Sequence, residues 1–452
     1  MINRWTTFLF RIVANTFFRR IEVTGLENVP AHGPVIFAGN HPNALMDGWL
    51  LMAKCGRWPL YFLANAKLWK YRMLRPLLAA VGAVPVYRRE EHAGEVDNRA
   101  AFDRLYEVLE RGDCAAIFPE GVSHVEPQLL KLKTGTARVA LTVAARGRVR
   151  VPIVPVGFNY INRHRFRSQV LIEFGRPIRI EDAWVEDFRR DEQQAVLALT
   201  SRLEDALRRI TLNAPDWSVL QFTQTVRRLY KPAAAKLGPG DYVELNRRFI
   251  ERYLVVAHEP EMQAFRKDVE DYQARLELLG LKDHQLRRPI TAGYALRKLI
   301  VRSLTLFALL PLAIPGALLH LPVGLIAAWV GERFSYEYDD VATLKVFATI
   351  LLLPFLYLLI AVFVGVNFGA GWAVLAMIAL TFSFFMSVRL IEAEAGLLFS
   401  LVSLLRLTRL GQELEDLRAT RAGLVARVRE LANRFADPDV PRIFTDDDFA
   451  RK

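Results

Sequence analysis

Cysteine is nearly absent: Cys55 and Cys114 are the only two in 452 residues. That is too few for a disulfide framework or a cysteine zinc cluster, so the chain reads as one from a reducing compartment, with both thiols as small core hydrophobes. Charge is sparse as well, at 24% of residues against 52% hydrophobic ones. This excludes a disordered chain and leaves enough apolar side chains for a large core or several domains. Acidic residues fall short of basic ones, 48 against 60, for a net charge of +12. The excess of cations points to an anionic partner: nucleic acid, a phospholipid surface or a phosphorylated substrate. No nucleic-acid recognition motif accompanies it, so nucleic acid is set aside. The first twenty residues, MINRWTTFLFRIVANTFFRR, lack both a continuous hydrophobic core and a small-residue cleavage site, which argues against a secretory signal. Instead Trp5, Phe8, Ile12 and Phe17, interleaved with Arg4, Arg11, Arg19 and Arg20, predict an amphipathic helix over residues 1–20 that lies on a membrane surface. Packing of that helix on the protein's own core is the alternative.

Between residues 33 and 178, short apolar or β-branched runs alternate with helical periodicity. PVIFAG (34–39), LYFLA (60–64), AVPVY (83–87), CAAIF (114–118) and VPIVPVGF (151–158) predict strands, while Asp97–Arg111 and Thr134–Arg146 predict helices. The alternation predicts an α/β domain over residues 21–180, with a largely parallel sheet flanked by helices. Chemistry in such sheets gathers outside the carboxyl ends of the strands. There the sequence places His41 and Asp47 after the first strand, Arg88 and Arg89 after the third, and Glu120 with Gly121 after the fourth.

Residues 181–299 read as a helical insert, rich in charge, broken by NAPDW (213–217) and GPG (238–240), and without a catalytic constellation. Residues 300–390 form a hydrophobic region, because Ser303–Val330 and Val346–Val388 carry almost no charge and apolar stretches beyond about 18 residues are transmembrane candidates. Pro311, Pro315 and Pro322 interrupt helical pattern in the first stretch and predict two short arms dipping into one leaflet. The second is long enough for two spans turning near Gly365–Gly371. Arg287, Arg288, Arg297, Lys298 and Arg302 before this region, and Arg389, Arg406, Arg409 and Arg418 after it, place both flanks in the cytoplasm. The expectation is therefore an even number of crossings of the inner, cytoplasmic membrane, with the α/β domain facing the cytoplasm. In residues 391–452, Leu410, Leu414, Leu417, Leu424, Val428 and Leu431 recur at intervals of three and four, broken at Arg421. They predict an amphipathic helix that packs on the chain or self-associates as a coiled coil.

A histidine becomes a base when a carboxylate orients its ring and stabilises the imidazolium. His41 and Asp47 fit that pairing, and with no serine or cysteine nucleophile evident the pair would deprotonate a substrate hydroxyl directly. A strand-end histidine beside a helix-capping aspartate is also an ordinary structural arrangement; the surrounding motifs distinguish the two. NHPNALMD (40–47), GAVPVYRR (82–89), FPEGVSH (118–124) with KLKTGTARVAL (131–141), and VPIVPVGF (151–158) resemble, in order and spacing, the four blocks of the glycerol-phosphate and lysophospholipid acyltransferase superfamily. The resemblance covers residues 20–180. It implies transfer of a fatty acyl group from acyl-CoA or acyl carrier protein to a hydroxyl of glycerol 3-phosphate or a lysophospholipid. His41 would be the base, Asp47 its orienting partner, Arg88 the contact to the acceptor phosphate, Glu120 with Gly121 the binders of its glycerol-phosphate portion, and Pro155 the proline of the last block. The acyl donor is a substrate, so neither a cofactor nor a metal is implied. The late hydrophobic spans, the NAPDW-bearing insert and the SH after FPEG look similar to fungal-type glycerol-3-phosphate or dihydroxyacetone-phosphate acyltransferases.

The residues themselves support this chemistry. A thioester is already activated, so a positioned base is enough to make a hydroxyl attack it. A planar guanidinium binds two phosphate oxygens at once, which suits Arg88, and Arg89 and Lys133 are further candidate cations. Glu120 cannot bind phosphate; it would accept from a substrate hydroxyl or fix its loop so that the Gly121 amide can donate. Oxyanion donors are to be sought among amides near His41 or Gly121. One departure stands out: the usual pattern has four residues between the histidine and the aspartate, and here Pro42, Asn43, Ala44, Leu45 and Met46 make five. Pro42 suits a helix start, with His41 just outside it. Three other readings compete: a metal site from Glu120 and His124 near His41 and Asp47, an acyl hydrolase using the same pair, and a non-catalytic lipid-binding tether.

Overall fold

Among the described residues, seven short strands form one sheet: β1 (Phe18–Thr24), β2 (Ile36–Gly39), β3 (Leu60–Asn65), β4 (Ala83–Val86), β5 (Cys114–Ile117), β6 (Ile153–Ile161) and β7 (Ser168–Phe174). The structure, a computed structural model, describes residues 4–70, 75–87, 97–163, 165–232, 235–287, 292–334, 341–409, 411–435, 443, 444 and 448. The strand order is β1-β7-β6-β2-β5-β3-β4, and every neighbouring pair is parallel except β6–β7. β2 (IFAG) and β5 (CAAI) are buried throughout, as befits strands covered on both faces.

Helices flank the sheet: α1 (Arg4–Phe17), α2 (Ala44–Lys54), α3 (Arg75–Ala80), α4 (Arg99–Glu110), α5 (Gly135–Ala145), α6 (Asp182–Arg190) and α7 (Glu192–Ile210). Leu105 and Leu109 of α4, Leu141 of α5 and Leu199 and Leu203 of α7 share one core with Ile36, Ala115, Ile117 and Ile153. The small residues of β5 let these helices lie close. The sheet is thus mostly parallel and flanked by helices, as the alternation predicted.

Two strands escaped the sequence reading. β1 (FRRIEVT) carries two adjacent arginines and sits at the sheet edge, pairing with β7 only, so it has no continuous apolar run. β7 (SQVLIEF) lies beyond the last recognised block. The amphipathic first segment is a helix to Phe17 and then turns directly into β1. One face of α1 is core, not membrane surface: Phe10, Ala14 and Phe17 are buried, and Phe10 meets Trp49 of α2 at a ring separation of 5.5 Å. Phe8 and Ile12 remain exposed on the other face.

The described residues fall into two compact units. The first holds the sheet, runs to Leu220 and includes Leu237–Arg247. The second holds most of α8 (Trp217–Tyr230), the later half of α9 (Pro239–Val256), then α10 (Pro260–Leu278), α11 (Asp283–Leu286), α12 (Ala292–Phe334), most of α13 (Val341–Phe368), α14 (Ala370–Arg409) and α15 (Gly411–Arg434).

Within the second unit the stripe of α15 is covered by the same chain. Leu414, Leu417, Leu424, Val428 and Leu431 are buried, Arg427 pairs with Asp268 of α10, and Arg434 reaches Glu261 at 2.6 Å. Arg421, the residue that broke the heptad pattern, donates to Asp283 at 2.8 Å, and Arg287 reaches the same carboxylate at 3.3 Å. The charge in the stripe is thus matched by a buried carboxylate of the same chain.

Among the described residues, three helices are long and apolar enough to cross a membrane: Ile300–Phe334, Thr343–Phe368 and Ala370–Leu390. The first corrects the expectation of two short arms, because the chain runs as one helix through Pro311, Pro315 and Pro322. The reason lies in α14. In an unbroken helix the Gly316 amide would donate to the Leu312 carbonyl; here the Ser383 hydroxyl stands between them, accepting from Gly316 N at 2.7 Å and donating to Leu312 O at 2.7 Å. Ser387 donates to Ala313 O at 2.9 Å, and His320 Nδ1 to Gly316 O at 2.7 Å. Ser383, Ser387 and His320 thus satisfy backbone groups in the turns around Pro315, the condition for non-ideal backbone in hydrocarbon.

Candidate active site

Parallel strands end on the same side, so the segments after β2, β5 and β6, three neighbours in the sheet, converge at one rim. Asn40 makes the first fixed point. Its amide donates to Val156 O at 3.3 Å, its side chain accepts from Phe158 N at 2.7 Å, and its Nδ2 donates to Phe158 O at 3.2 Å. A side chain thereby extends the β2–β6 ladder by one rung, and His41 leaves the sheet from an anchored position.

His41 and Asp47 are in contact: Nδ1 lies 2.9 Å from Asp47 Oδ2. Since a carboxylate only accepts, the ring proton sits on Nδ1 and Nε2 is the basic nitrogen. The imidazole is stacked on Phe118, with ring centres 4.0 Å apart and planes within 10°, and its side chain is 17% exposed. Asp47 is fully buried in the first turn of α2. Its Oδ2 also accepts from Asn43 N at 2.8 Å, and its Oδ1 from the Tyr160 hydroxyl at 2.5 Å. Three donors and a helix N-terminus offset the cost of burying this carboxylate. Burial, and then the Asp47 carboxylate, push the Tyr160 phenol well above its ordinary range, so it remains a donor.

The extra residue between histidine and aspartate is absorbed before the helix. α2 begins at Ala44 and not at Pro42, and Ala44 takes a φ of +41°, a left-handed turn costing on the order of 1–3 kcal/mol for a residue with a Cβ. His41 stays outside the helix, as expected, and the turn over Pro42–Ala44 brings the two side chains together.

Glu120 ties the two loops to each other. Oε1 accepts from His41 N at 2.8 Å and Oε2 from Leu130 N at 2.9 Å and from His124 Nε2. His124 Nδ1 accepts from Glu126 N at 3.2 Å, which puts the ring proton on Nε2. The Glu120 side chain has no exposed surface, and its lone pairs point at protein donors, so here it fixes loops. The Gly121 amide donates to Phe118 O at 3.0 Å in a turn with φ +75°. The amides of His41 and Gly121 therefore both have protein acceptors. Over Gly121 lies the exposed Lys133: a Cβ at Gly121 would stand 2.7 Å from Lys133 Cδ and 2.9 Å from its Nζ.

Pro155 sits deeper, buried within β6 opposite Ala38, with its carbonyl accepting from Gly175 N at 2.8 Å. Arg88 and Arg89 lie outside the described residues. The preceding Tyr87 is clasped by Asn98, which accepts from Tyr87 N at 2.8 Å and donates to Tyr87 O at 2.9 Å; β4 ends beside this clasp, at the same rim. Glu120 with His124 and His41 with Asp47 form two separate hydrogen-bonded pairs, and among the described residues no three His, Cys, Asp or Glu side chains converge as metal ligands.

Four residues with a part in this geometry were missed: Asn40, Asn43, Tyr160 and Arg163. Arg163 Nη1 donates to Pro42 O at 2.9 Å and His124 O at 3.2 Å, and its Nη2 to Val125 O at 3.2 Å, clamping both loops. Asn40 and Asn43 stand inside the recognised NHPN block and could have been read as strand-end and turn residues. Tyr160 lies 113 positions from Asp47, and Arg163 lies 121 from Pro42 and 39 from His124, so no local pattern marks them.

Two family models match the chain, one over the sheet and one over the later helices. Residues 20–159 match the family Acyltransferase, and residues 222–440 match the Glycerol-3-phosphate acyltransferase 2 C-terminal domain. The chain is 34% identical to Glycerol-3-phosphate O-acyltransferase 2 of Saccharomyces cerevisiae over 283 residues, covering 59% of this chain and 38% of that one. It is 33% identical to Glycerol-3-phosphate O-acyltransferase 1 of the same yeast over 261 residues, covering 57% and 34%. The chain thus spans well under half the length of these relatives. Among solved structures it is similar to the 1-acyl-sn-glycerophosphate acyltransferase PlsC of Thermotoga maritima, at 21% identity and a TM-score of 0.30, over 42% of this chain and 75% of that one. Residues 20–159 thus form an Acyltransferase domain and residues 222–440 match the C-terminal domain of Glycerol-3-phosphate acyltransferase 2, and the homologues named here are fungal glycerol-3-phosphate O-acyltransferases.

Proposed function

We propose that the protein is a membrane-bound O-acyltransferase that moves a fatty acyl group from acyl-CoA or acyl carrier protein to a hydroxyl of glycerol 3-phosphate or 1-acylglycerol 3-phosphate, in phospholipid synthesis. The observation that carries this reading is the 2.9 Å bond from His41 Nδ1 to Asp47 Oδ2. It leaves Nε2 as the basic nitrogen of a ring that is held on Phe118 and partly open to solvent. In the reaction Nε2 takes the proton of the acceptor hydroxyl as its oxygen attacks the thioester carbonyl carbon. The tetrahedral adduct then collapses with cleavage of the C–S bond, and the imidazolium returns the proton to the leaving thiolate. Asp47 stabilises the imidazolium, and general-base assistance of this kind is typically worth about 10²–10⁴-fold.

Arg88, Arg89 and Lys133 supply the cations for the acceptor phosphate, with Lys133 placed over the Gly121 turn. Glu120 and Gly121 shape the loop on which the glycerol-phosphate portion rests, and Pro155 holds β6 beneath it. The apolar helices keep the protein in the inner membrane; because α15 packs on α10 and α11, the basic flanks before and after them share one side, the cytoplasmic face, and one of the three helices then lies in the membrane without crossing it.

The test is an assay of the purified full chain with labelled acyl-CoA against glycerol 3-phosphate, dihydroxyacetone phosphate and 1-acylglycerol 3-phosphate, beside His41→Ala and Asp47→Asn. Transfer to one of these acceptors, lost by about 10²-fold or more in both variants, is the expected result. Full transfer in both variants would sink the mechanism, and acyl release without an acceptor would make the protein a hydrolase.

A further inference from the structure

Asp47 Oδ2 serves two donors, His41 and Asn43, while Oδ1 is met among the described residues by the Tyr160 hydroxyl. Tyr160 reaches it from β6, 113 positions along the chain. Along that strand, side chains alternate between faces. On one side, Gly157 and Asn159 meet the end of α7: a Cβ at Gly157 would strike Ile210 O at 2.3 Å, and Asn159 Nδ2 donates to the same carbonyl at 2.9 Å. On the other, Phe158 packs beneath Phe118 with ring centres 6.3 Å apart, and Tyr160 packs on Phe18 at 5.8 Å. The strand whose Phe158 backbone anchors Asn40 therefore also delivers a phenol to Asp47, and three residues later Arg163 closes on both loops.

We infer that Tyr160 is the positioning residue of the His41–Asp47 pair, its hydroxyl fixing the plane of the buried carboxylate and restraining its basicity so that His41 works as a neutral base. The inference rests on the acyl-transfer reading for its use in the reaction, though its electrostatic effect can be measured without turnover. A carboxylate that loses one donor binds the remaining N–H more strongly and favours the imidazolium. Loss of the hydroxyl therefore raises the pH at which His41 becomes neutral, and moves the acidic limb of activity upward.

The experiment uses the full chain in detergent. Carbethoxylation of the peptide containing His41 by diethyl pyrocarbonate, followed by mass spectrometry across a pH series, reports the neutral imidazole directly. Tyr160→Phe keeps the ring and removes only the hydroxyl, and the midpoint is expected to rise by roughly half a unit or more. Site-specific 3-fluorotyrosine at position 160, a stronger donor, is expected to move it down, and it keeps the question open to test if the phenylalanine variant does not fold. In an Asp47→Asn background Tyr160→Phe should add no further shift. Acyl transfer by Tyr160→Phe is expected to fall about tenfold in kcat with the acceptor KM retained. An unmoved midpoint in a folded variant, or the same shift with and without Asp47, overturns the inference. Coupled midpoints in a chain that transfers no acyl group would instead leave Tyr160 in this role and remove the acyltransferase reading.

Discussion

Asn40 pairs its side-chain amide with both backbone groups of Phe158, accepting at 2.7 Å and donating at 3.2 Å. This bracket sets where His41 leaves the sheet. Asn40→Ala strands the Phe158 amide and carbonyl at the end of a buried strand, at about 1–3 kcal/mol for each unsatisfied group. A melting temperature lowered by roughly 2–8 °C is expected, with acyl transfer reduced further than stability. Asn40→Asp keeps the acceptor and loses the donor, and should fall between the two. Calorimetry and transfer assays on the three proteins check this order; transfer that only tracks the folded fraction would show that Asn40 serves the fold and not the site.

Glu120 offers the sharper contrast. Its two oxygens accept from His41 N, Leu130 N and His124, so Glu120→Gln must turn an N–H₂ group toward at least one donor. The expected consequence is a loss of about 2–4 kcal/mol in stability together with collapse of kcat, because the His41 backbone is one of the three. A direct contact to the acceptor hydroxyl would show differently, as a raised KM in a protein of ordinary stability. Denaturant titration beside steady-state kinetics separates the two outcomes.

Gly121 and Lys133 should behave as one unit. Alanine at 121 must adopt φ +75° and meets Lys133 Cδ, Cε and Nζ at under 3 Å, and since these are the far end of a flexible side chain, it is Lys133 that moves. Gly121→Ala and Lys133→Met are therefore expected to raise the KM for a phosphorylated acceptor by a similar factor, about five- to tenfold, and to reduce its dependence on ionic strength. The double variant should be little worse than either single one. Additive effects would mean that the lysine is not held by that turn for binding.

Much of this arrangement was legible beforehand, and the reasons are physical. Buried parallel strands are continuous apolar runs, so β2 through β6 announce themselves, and their carboxyl ends gave His41, Asp47 and Glu120 without any contact being known. β1 was hidden because an edge strand tolerates Arg19 and Arg20. The single long α12 was hidden because the groups that rescue its prolines, Ser383 and Ser387, come from another helix. Tyr160 was hidden for the same reason: its partner is distant in sequence. Residues that act through the chain next to them leave a local pattern, and residues that act across the fold do not.

The two cysteines should be silent. Burial pushes the Cys55 thiol from its ordinary 9.0 up to about 12, and burial raises Cys114 as well. At pH 8 the folded chain therefore carries almost no thiolate at either site, and alkylating reagents that modify the denatured protein at once should leave the native protein and its activity untouched. The sign for stability follows. A folded-state value above the unfolded one means that the thiol contribution is intact below pH 9 and is lost as pH climbs toward 12, where only the unfolded chain ionises. Denaturant midpoints measured between pH 8 and 11 should fall, and Cys55→Ala should fall less steeply over that window. A flat response in both proteins would count against burial of the thiol.

In the second unit, the Ser383 hydroxyl occupies the gap that Gly316 N and Leu312 O would otherwise close, with both distances at 2.7 Å. In water such a gap would be filled by solvent; in hydrocarbon it has to be filled by protein. Ser383→Ala removes donor and acceptor together, and interhelical bonds of this kind are worth roughly 0.6–2 kcal/mol. Gly316→Ala acts on the same contact from the other side, because its Cβ would stand 2.5 Å from the Ser383 carbonyl carbon and oxygen. Those are backbone atoms that cannot swing aside, so α12 and α14 must separate. Unfolding by sodium dodecyl sulfate in mixed micelles is expected to rank wild type above Ser383→Ala, and Ser383→Ala above Gly316→Ala. Chemistry at His41 should be unchanged in whatever fraction remains folded, since no residue of the catalytic pair takes part in this contact. Equal resistance of all three proteins would mean that the hydroxyl does not join these helices, and would return the first apolar stretch to the two short arms that its prolines suggest.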